Sequence, residues 1–151
     1  MRKVEKRIVI AMGNIIVSSE FFYKNQEGLL KPIIYCCSYE NFEQESVSIS
    51  LELSKELKKI NPNRRTMQLE KCFCKVISDL PNDVVIKDID VMFNPAYEVD
   101  ILKLLIAAYK KKSFRVIWPG TYIDGKLIYA EEGYLDYKVY NICDYDITCI
   151  I

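Results

Sequence analysis

The chain has 151 residues, half of them hydrophobic, with 21 Lys plus Arg against 21 Asp plus Glu. That length points to one α/β-sized domain, residues 1–151, able to fold around its own core. Zero net charge argues against a protein that coats nucleic acid through bulk charge. The absence of histidine removes Ser-His-Asp and Cys-His catalysis as usually built, together with every His-ligated metal site.

At the start, Arg2, Lys3, Lys6 and Arg7 precede the apolar stretch IVIAMGNIIV. Glu5 sits among the basic residues, Gly13-Asn14 breaks the run and no small-residue cleavage pattern follows, so this reads as structure and not as a signal peptide. No run approaches the roughly 18 apolar residues of a membrane span. Residues 4–23 place Val4, Ile8, Ala11, Ile15 and Phe22 on one helical stripe, with two short strands, IVIAM and IIVSS, as the alternative. Leu29 to Cys37, LLKPIIYCC, reads as a buried strand. The segment after it, SYENFEQES, contains neither glycine nor lysine and carries Glu40, Glu43 and Glu45. A phosphate loop needs glycines to wrap backbone N–H groups around the anion and a lysine to reach it, and neither is present.

Ser46 to Leu51 alternates as a second strand, and Leu53, Leu57 and Ile60 then mark a helix stopped by Asn61-Pro62-Asn63. Thr66 is the expected N-cap of a helix to Leu80 that buries Leu69, Cys72, Phe73, Val76 and Leu80. Val84 to about Ile89 reads as the central strand, ending in Asp88 and Asp90. Asn94-Pro95 turns the chain into the clearest helix, Asp100 to Lys112, and Phe114 to Trp118 is the next strand. TYIDGKLIYA is a hairpin about Asp124-Gly125. Tyr137 to Tyr140 and Ile147 to Ile151 follow as strands at the sheet edge. The whole predicts a three-layer α/β domain with a mainly parallel sheet and a C-terminal β-hairpin.

In open α/β sheets, ligands sit off the carboxyl ends of the strands. Asp88 and Asp90 are therefore the candidate nucleotide and metal residues: residues two apart on a strand share a face, so both carboxylates could meet one Mg²⁺. The bland alternative is two solvated carboxylates at a strand end. Trp118-Pro119-Gly120 ends the next strand and, with Tyr122, Tyr129 and Tyr134, forms a candidate protein interface. The alternative for Trp118 is a wedge holding the hairpin against the sheet. Lys110, Lys111 and Arg115, with Arg64 and Arg65, are candidate DNA contacts; a solvated helix end is the alternative. The six cysteines read as free thiols of a reducing cytoplasm, with Cys72 and Cys74 too poorly placed to chelate one ion.

The segments DIDVMFNP, DILKLL, FRVIWPG (Phe114–Gly120) and DGKLIYAEEGYLDYKVY, together with SLELSKEL from Ser50 to Leu57, resemble the BrxF-type small P-loop proteins of type 3 BREX phage-defence systems. The resemblance covers about residues 48–140, and its most specific part is Trp118-Pro119-Gly120 followed by Tyr129-Ala130. It places the family's acidic metal-binding position on Lys87, one step from Asp88, its histidine on Tyr134, and a nucleotide-sensing arginine on Lys112. With the phosphate loop gone and a cation at the acidic position, the resemblance implies a P-loop-NTPase-like α/β fold kept for its surfaces: a non-catalytic accessory subunit of a defence complex. Its expected partners are other protein subunits or a second copy of itself. Mg-ATP enters only under the alternative, a weak nucleotide switch with a partner-supplied phosphate loop. A DNA-contacting module is a third reading.

Overall fold

The computed structural model describes residues 13–21, 28–37 and 45–151. Six strands form one parallel sheet: β1 (Asn14–Ile16), β2 (Ile33–Tyr35), β3 (Val47–Ser48), β4 (Val84–Lys87), β5 (Phe114–Ile117) and β9 (Thr148–Ile150), in the spatial order β1-β9-β2-β5-β4-β3. Among the described residues four α-helices accompany them: α1 (Ser18–Phe21), α2 (Ser50–Lys58), α3 (Arg65–Ser78) and α4 (Ile101–Tyr109). A second, antiparallel sheet, β6 (Thr121–Ile123), β7 (Lys126–Tyr129) and β8 (Lys138–Asn141), is inserted between β5 and β9. Its first turn is Asp124-Gly125, both at positive φ, the conformation an Asp-Gly hairpin turn requires.

The two faces of the parallel sheet are covered unequally. Ile34, Ile86, Val116 and Cys149 join one core with Leu53 and Leu57 of α2, Leu69 and Phe73 of α3, and Leu102 and Leu105 of α4. The opposite face carries Ile33, Tyr35 and Ile150, packed with Phe21 of α1. Among the described residues, the longer helices thus share one face, and α1 lies on the other.

Several expected boundaries move. The helical stripe expected over 4–23 gives way to a strand at Asn14–Ile16; of IIVSS, Ile15 and Ile16 belong to β1 while Ser18 and Ser19 open α1, and IVIAM lies outside the described residues. Ser46–Leu51 shortens to the two residues of β3, because α2 begins at Ser50. Thr66 is not an N-cap: Arg64 holds that position without a side-chain bond, and the Thr66 hydroxyl donates instead to the Ala96 carbonyl at 3.3 Å. Ile77, not Val76 or Leu80, completes the buried stripe of α3. β9 is no edge strand; it lies between β1 and β2 and is buried at all three positions. A run buried on both faces shows no alternation, so the sequence marked the strand but not its place. No described helix is long and apolar enough to cross a membrane.

Candidate functional site

At the carboxyl end of β4 the chain turns at once. The strand stops at Lys87, Asp88 takes φ 59°, and Asp90 opens a 3-10 helix, Asp90–Phe93. Strand alternation therefore does not bring Asp88 and Asp90 to one face, and both are exposed. What holds Asp90 is the small sheet: the Tyr129 hydroxyl donates to its Oδ2 at 3.1 Å.

That bond ends a ladder of rings. Tyr129 stacks on Phe93 with centroids 3.9 Å apart and planes 11° off parallel. Phe93 meets Trp118 edge to face at 5.6 Å, Trp118 meets Tyr140 at 6.1 Å, and Tyr140 meets Tyr145 at 5.9 Å. The far end is again a carboxylate. The Tyr145 hydroxyl donates to Asp100 Oδ2 at 2.6 Å, while Asp100 Oδ1 accepts from the Lys103 amide and caps α4. The Tyr140 hydroxyl accepts from the Ile101 amide at 3.3 Å. Five rings between two carboxylates thus weld the small sheet to the carboxyl edge of the parallel one. Edge-to-face and offset pairs of this kind add to what burial alone contributes.

Burial, joined by the Asp90 charge and hydrogen bond, pushes the Tyr129 hydroxyl up to about 12. Burial does the same for Tyr140, to about 12, and Tyr145 is raised by burial and by Asp100. All three stay neutral at physiological pH and serve as hydrogen-bonding hydroxyls, not as bases.

The expected interface residues separate. Trp118 is only 4% exposed and its indole N–H donates to the Ile128 carbonyl at 3.0 Å, so it is the wedge and not a contact surface. Pro119 and Gly120 are partly buried. Gly120 is required by close packing, since a Cβ there would overlap the Ile128 carbonyl. Tyr122 packs against the core beside its cross-strand partner Leu127, which pairs in turn with Tyr140. Tyr129 is committed to Phe93, leaving Tyr134 exposed. The small sheet and its loop add three residues that the sequence did not single out. Of the eight exposed large hydrophobics among the described residues, four lie here: Ile123 on β6, Val139 on β8, and Tyr134 and Leu135 in the loop between β7 and β8, with Leu135 89% exposed. Val139 pairs across to Ile128, and Ile128 to Thr121.

The expected basic patch also divides. Lys112 Nζ donates to the Leu80 and Ser78 carbonyls beyond the C-terminus of α3. It precedes β5, at the opposite edge of the parallel sheet from Asp88 and Asp90, and so joins no site with them. Arg115 is bound by Asp83 at 3.1 Å and by the Tyr35 hydroxyl at 2.8 Å. Arg65 Nε donates to the Leu57 and Ile60 carbonyls at the end of α2. Arg64 is exposed at the start of α3, the end remote from the carbonyls that Lys112 reaches. The 14 residues of α3 set those two ends about 20 Å apart, while Lys111 lies between them, 3.9 Å from Glu70. Periodicity could not show this, because Lys112 and Arg115 are recruited by carbonyls and a carboxylate far away in sequence. Among the described residues, no three Cys, Asp or Glu side chains gather to hold a metal ion.

No family model, no curated protein and no solved structure matches this chain.

Proposed function

We propose that this protein is a non-catalytic accessory subunit that acts through protein contacts made by the outer face of its small sheet. The observation that carries the reading is that four of the eight exposed large hydrophobics among the described residues, Ile123, Tyr134, Leu135 and Val139, belong to the small sheet and its β7–β8 loop. Single exposed hydrophobics are ordinary, whereas a concentration of them in one part of a surface marks an interaction site. The resemblance to the BrxF-type proteins supplies the setting, a bacterial cytoplasmic phage-defence complex. The strand order supports a P-loop-like reading of the sheet. β2 enters its glycine-free segment from mid-sheet, β5 lies beside it and β4 one strand further. Engagement of Asp90 by Tyr129, and the position of Lys112 at the other edge, support a fold that has given up the chemistry of that site.

The test is co-purification with the products of neighbouring genes, comparing the unaltered chain with Val139→Glu and Leu135→Glu. Loss of a partner in both exposed-site variants, with unchanged thermal unfolding, supports the reading; unchanged recovery of every partner refutes it.

A second reading is favoured by Asp88. It stands exposed off the carboxyl end of β4 in a left-handed conformation, where α/β sheets bind ligands and where backbone strain is often functional. Under it the chain binds Mg-ATP weakly. Thermal unfolding with and without Mg-ATP decides: saturation to a hundred times the dissociation constant adds about 2.7 kcal/mol. An upward shift that Asp88→Ala abolishes establishes this second reading over the first.

A further inference from the structure

Tyr97 is only 7% exposed, and a tyrosine that deep ordinarily finds a partner for its hydroxyl. Its amide donates to the Asn94 carbonyl at 2.8 Å, but no group among the described residues bonds the hydroxyl. Tyr97 lines a cavity of about 150 Å³ together with Ser54, Leu57 and Lys58 of α2, Arg65 at the start of α3, and Val91 of the 3-10 helix. The lining holds no carboxylate. Its sequence neighbours Glu56, Asp90 and Glu98 are not part of it; Glu56 is paired with Lys59 and Lys75, and Asp90 accepts from Tyr129. Neither Lys58 nor Arg65 meets a carboxylate among the described residues. Arg65 is held by its Nε, which donates to the Leu57 and Ile60 carbonyls. Those bonds answer two carbonyls that would otherwise repel an anion at this helix end. They leave both terminal guanidinium nitrogens without an acceptor among the described residues.

We propose that this cavity binds a phosphoryl group, as free phosphate or as a phosphate monoester. The terminal nitrogens of Arg65 form the planar fork that suits two phosphate oxygens. Lys58, which lines the cavity while staying exposed, adds a second positive charge, and the Ser54 and Tyr97 hydroxyls can donate to the remaining oxygens. Two unpaired cations match a dianion, whereas a carboxylate, with a single charge, would leave one of them uncompensated. The cavity is also smaller than the roughly 300 Å³ at which pockets for drug-sized ligands begin, so it takes a group and not a whole nucleotide. With no carboxylate in its lining it calls for no metal ion, which separates it from the Mg-ATP reading at Asp88.

The test is titration calorimetry of the full chain with inorganic phosphate and, separately, methyl phosphate, at constant ionic strength and with EDTA present. Phosphate is expected to bind and acetate is not. Methyl phosphate bound as well as phosphate marks a site for a monoester; phosphate bound alone marks a site for the free ion. Lys58→Glu, at an exposed position, weakens binding at least ~tenfold, and Tyr97→Phe weakens it about threefold or more. Without phosphate, Tyr97→Phe unfolds at no lower temperature than the unaltered chain, because the hydroxyl it removes has no protein partner to lose. Lys110→Glu, an exposed reversal outside the cavity, leaves binding unchanged. Absence of binding by both phosphates overturns the proposal, as does acetate bound as tightly as phosphate. So does binding indifferent to Lys58→Glu and Tyr97→Phe, or weakened equally by Lys110→Glu, which would mark attraction to surface charge at large.

Discussion

The Tyr129 hydroxyl and the Asp90 carboxylate, 39 residues apart in sequence, meet at 3.1 Å where the two sheets join. Tyr129→Phe keeps the ring stacked on Phe93 and removes only the hydrogen bond, so it should cost about 1–2 kcal/mol, at the low end for a bond to a charged group because the pair is exposed. Asp90→Ala should cost a similar amount, and the double variant little more than either alone. Urea unfolding of the four proteins measures the coupling; strictly additive losses would show that the two groups do not act together.

Trp118 is the only tryptophan and is buried between Phe93 and Tyr140. Its emission should be blue-shifted and shielded from iodide, and should move to the red on unfolding. Trp118→Ala should cost about 3–5 kcal/mol, the usual loss for emptying a large aromatic site. Native emission already typical of water-exposed indole would contradict this packing.

Lys112 and Arg65 close the ends of helices. Lys112→Ala should lower stability by about 1 kcal/mol, since cations and donors at a helix C-terminus stabilise by that order. Arg65→Ala should act in the same direction, because it removes the side-chain donor shared by the Leu57 and Ile60 carbonyls. A mobility-shift titration of duplex DNA provides the control. Were either variant to abolish DNA binding while leaving stability intact, the capping role would be the wrong one.

Stability should fall at high pH. Tyr129 and Tyr140 ionise near 12 when folded but near 10 when unfolded. Below about pH 10 both states hold the protons equally and stability is independent of these groups. Above it the unfolded chain releases protons that the folded chain retains, so stability declines as pH rises from about 10 to about 12. Tyr129→Phe should make that decline shallower. Thermal unfolding against pH, with tyrosinate absorbance read alongside, checks both parts.

The thiols should react in the order of their exposure. Cys143 is exposed, whereas Cys72 and Cys149 are buried. A hydrogen bond with Cys36 and burial raise Cys149 far above the usual thiol range, and the thiolate is the reactive form. Brief iodoacetamide treatment followed by mass spectrometry should label Cys143 first and Cys149 only after denaturation. Equal labelling of the two would place β9 at an exposed edge after all.

The aromatic ladder shows how unevenly the sequence spoke. Asp124-Gly125 announced its hairpin, and the strand ending in Trp118 was legible from a short apolar run before Pro119-Gly120. The wedge role of Trp118 was one of two readings of the same residue, and nothing local separates them. Asp90 looked like half of a metal pair because alternation was carried one step too far; the left-handed Asp88 ends the strand before that rule applies. Phe93, the ring at the centre of the ladder, carried no signal beyond being apolar beside Asn94-Pro95.

By itself the sequence determined the local matters: where apolar runs begin and end, which turns Gly, Pro, Asn and Asp demand, and that the segment after β2 has no glycine or lysine for a phosphate. These depend on backbone preferences and on neighbours a few residues away. The tertiary structure alone decided that β9 enters between β1 and β2, that Lys112 and Arg65 serve carbonyls of other segments, and that the small sheet buries Trp118 while turning Ile123 and Val139 outward. Those outcomes follow from strand order and from which distant groups satisfy one another, and no periodicity along the chain encodes either.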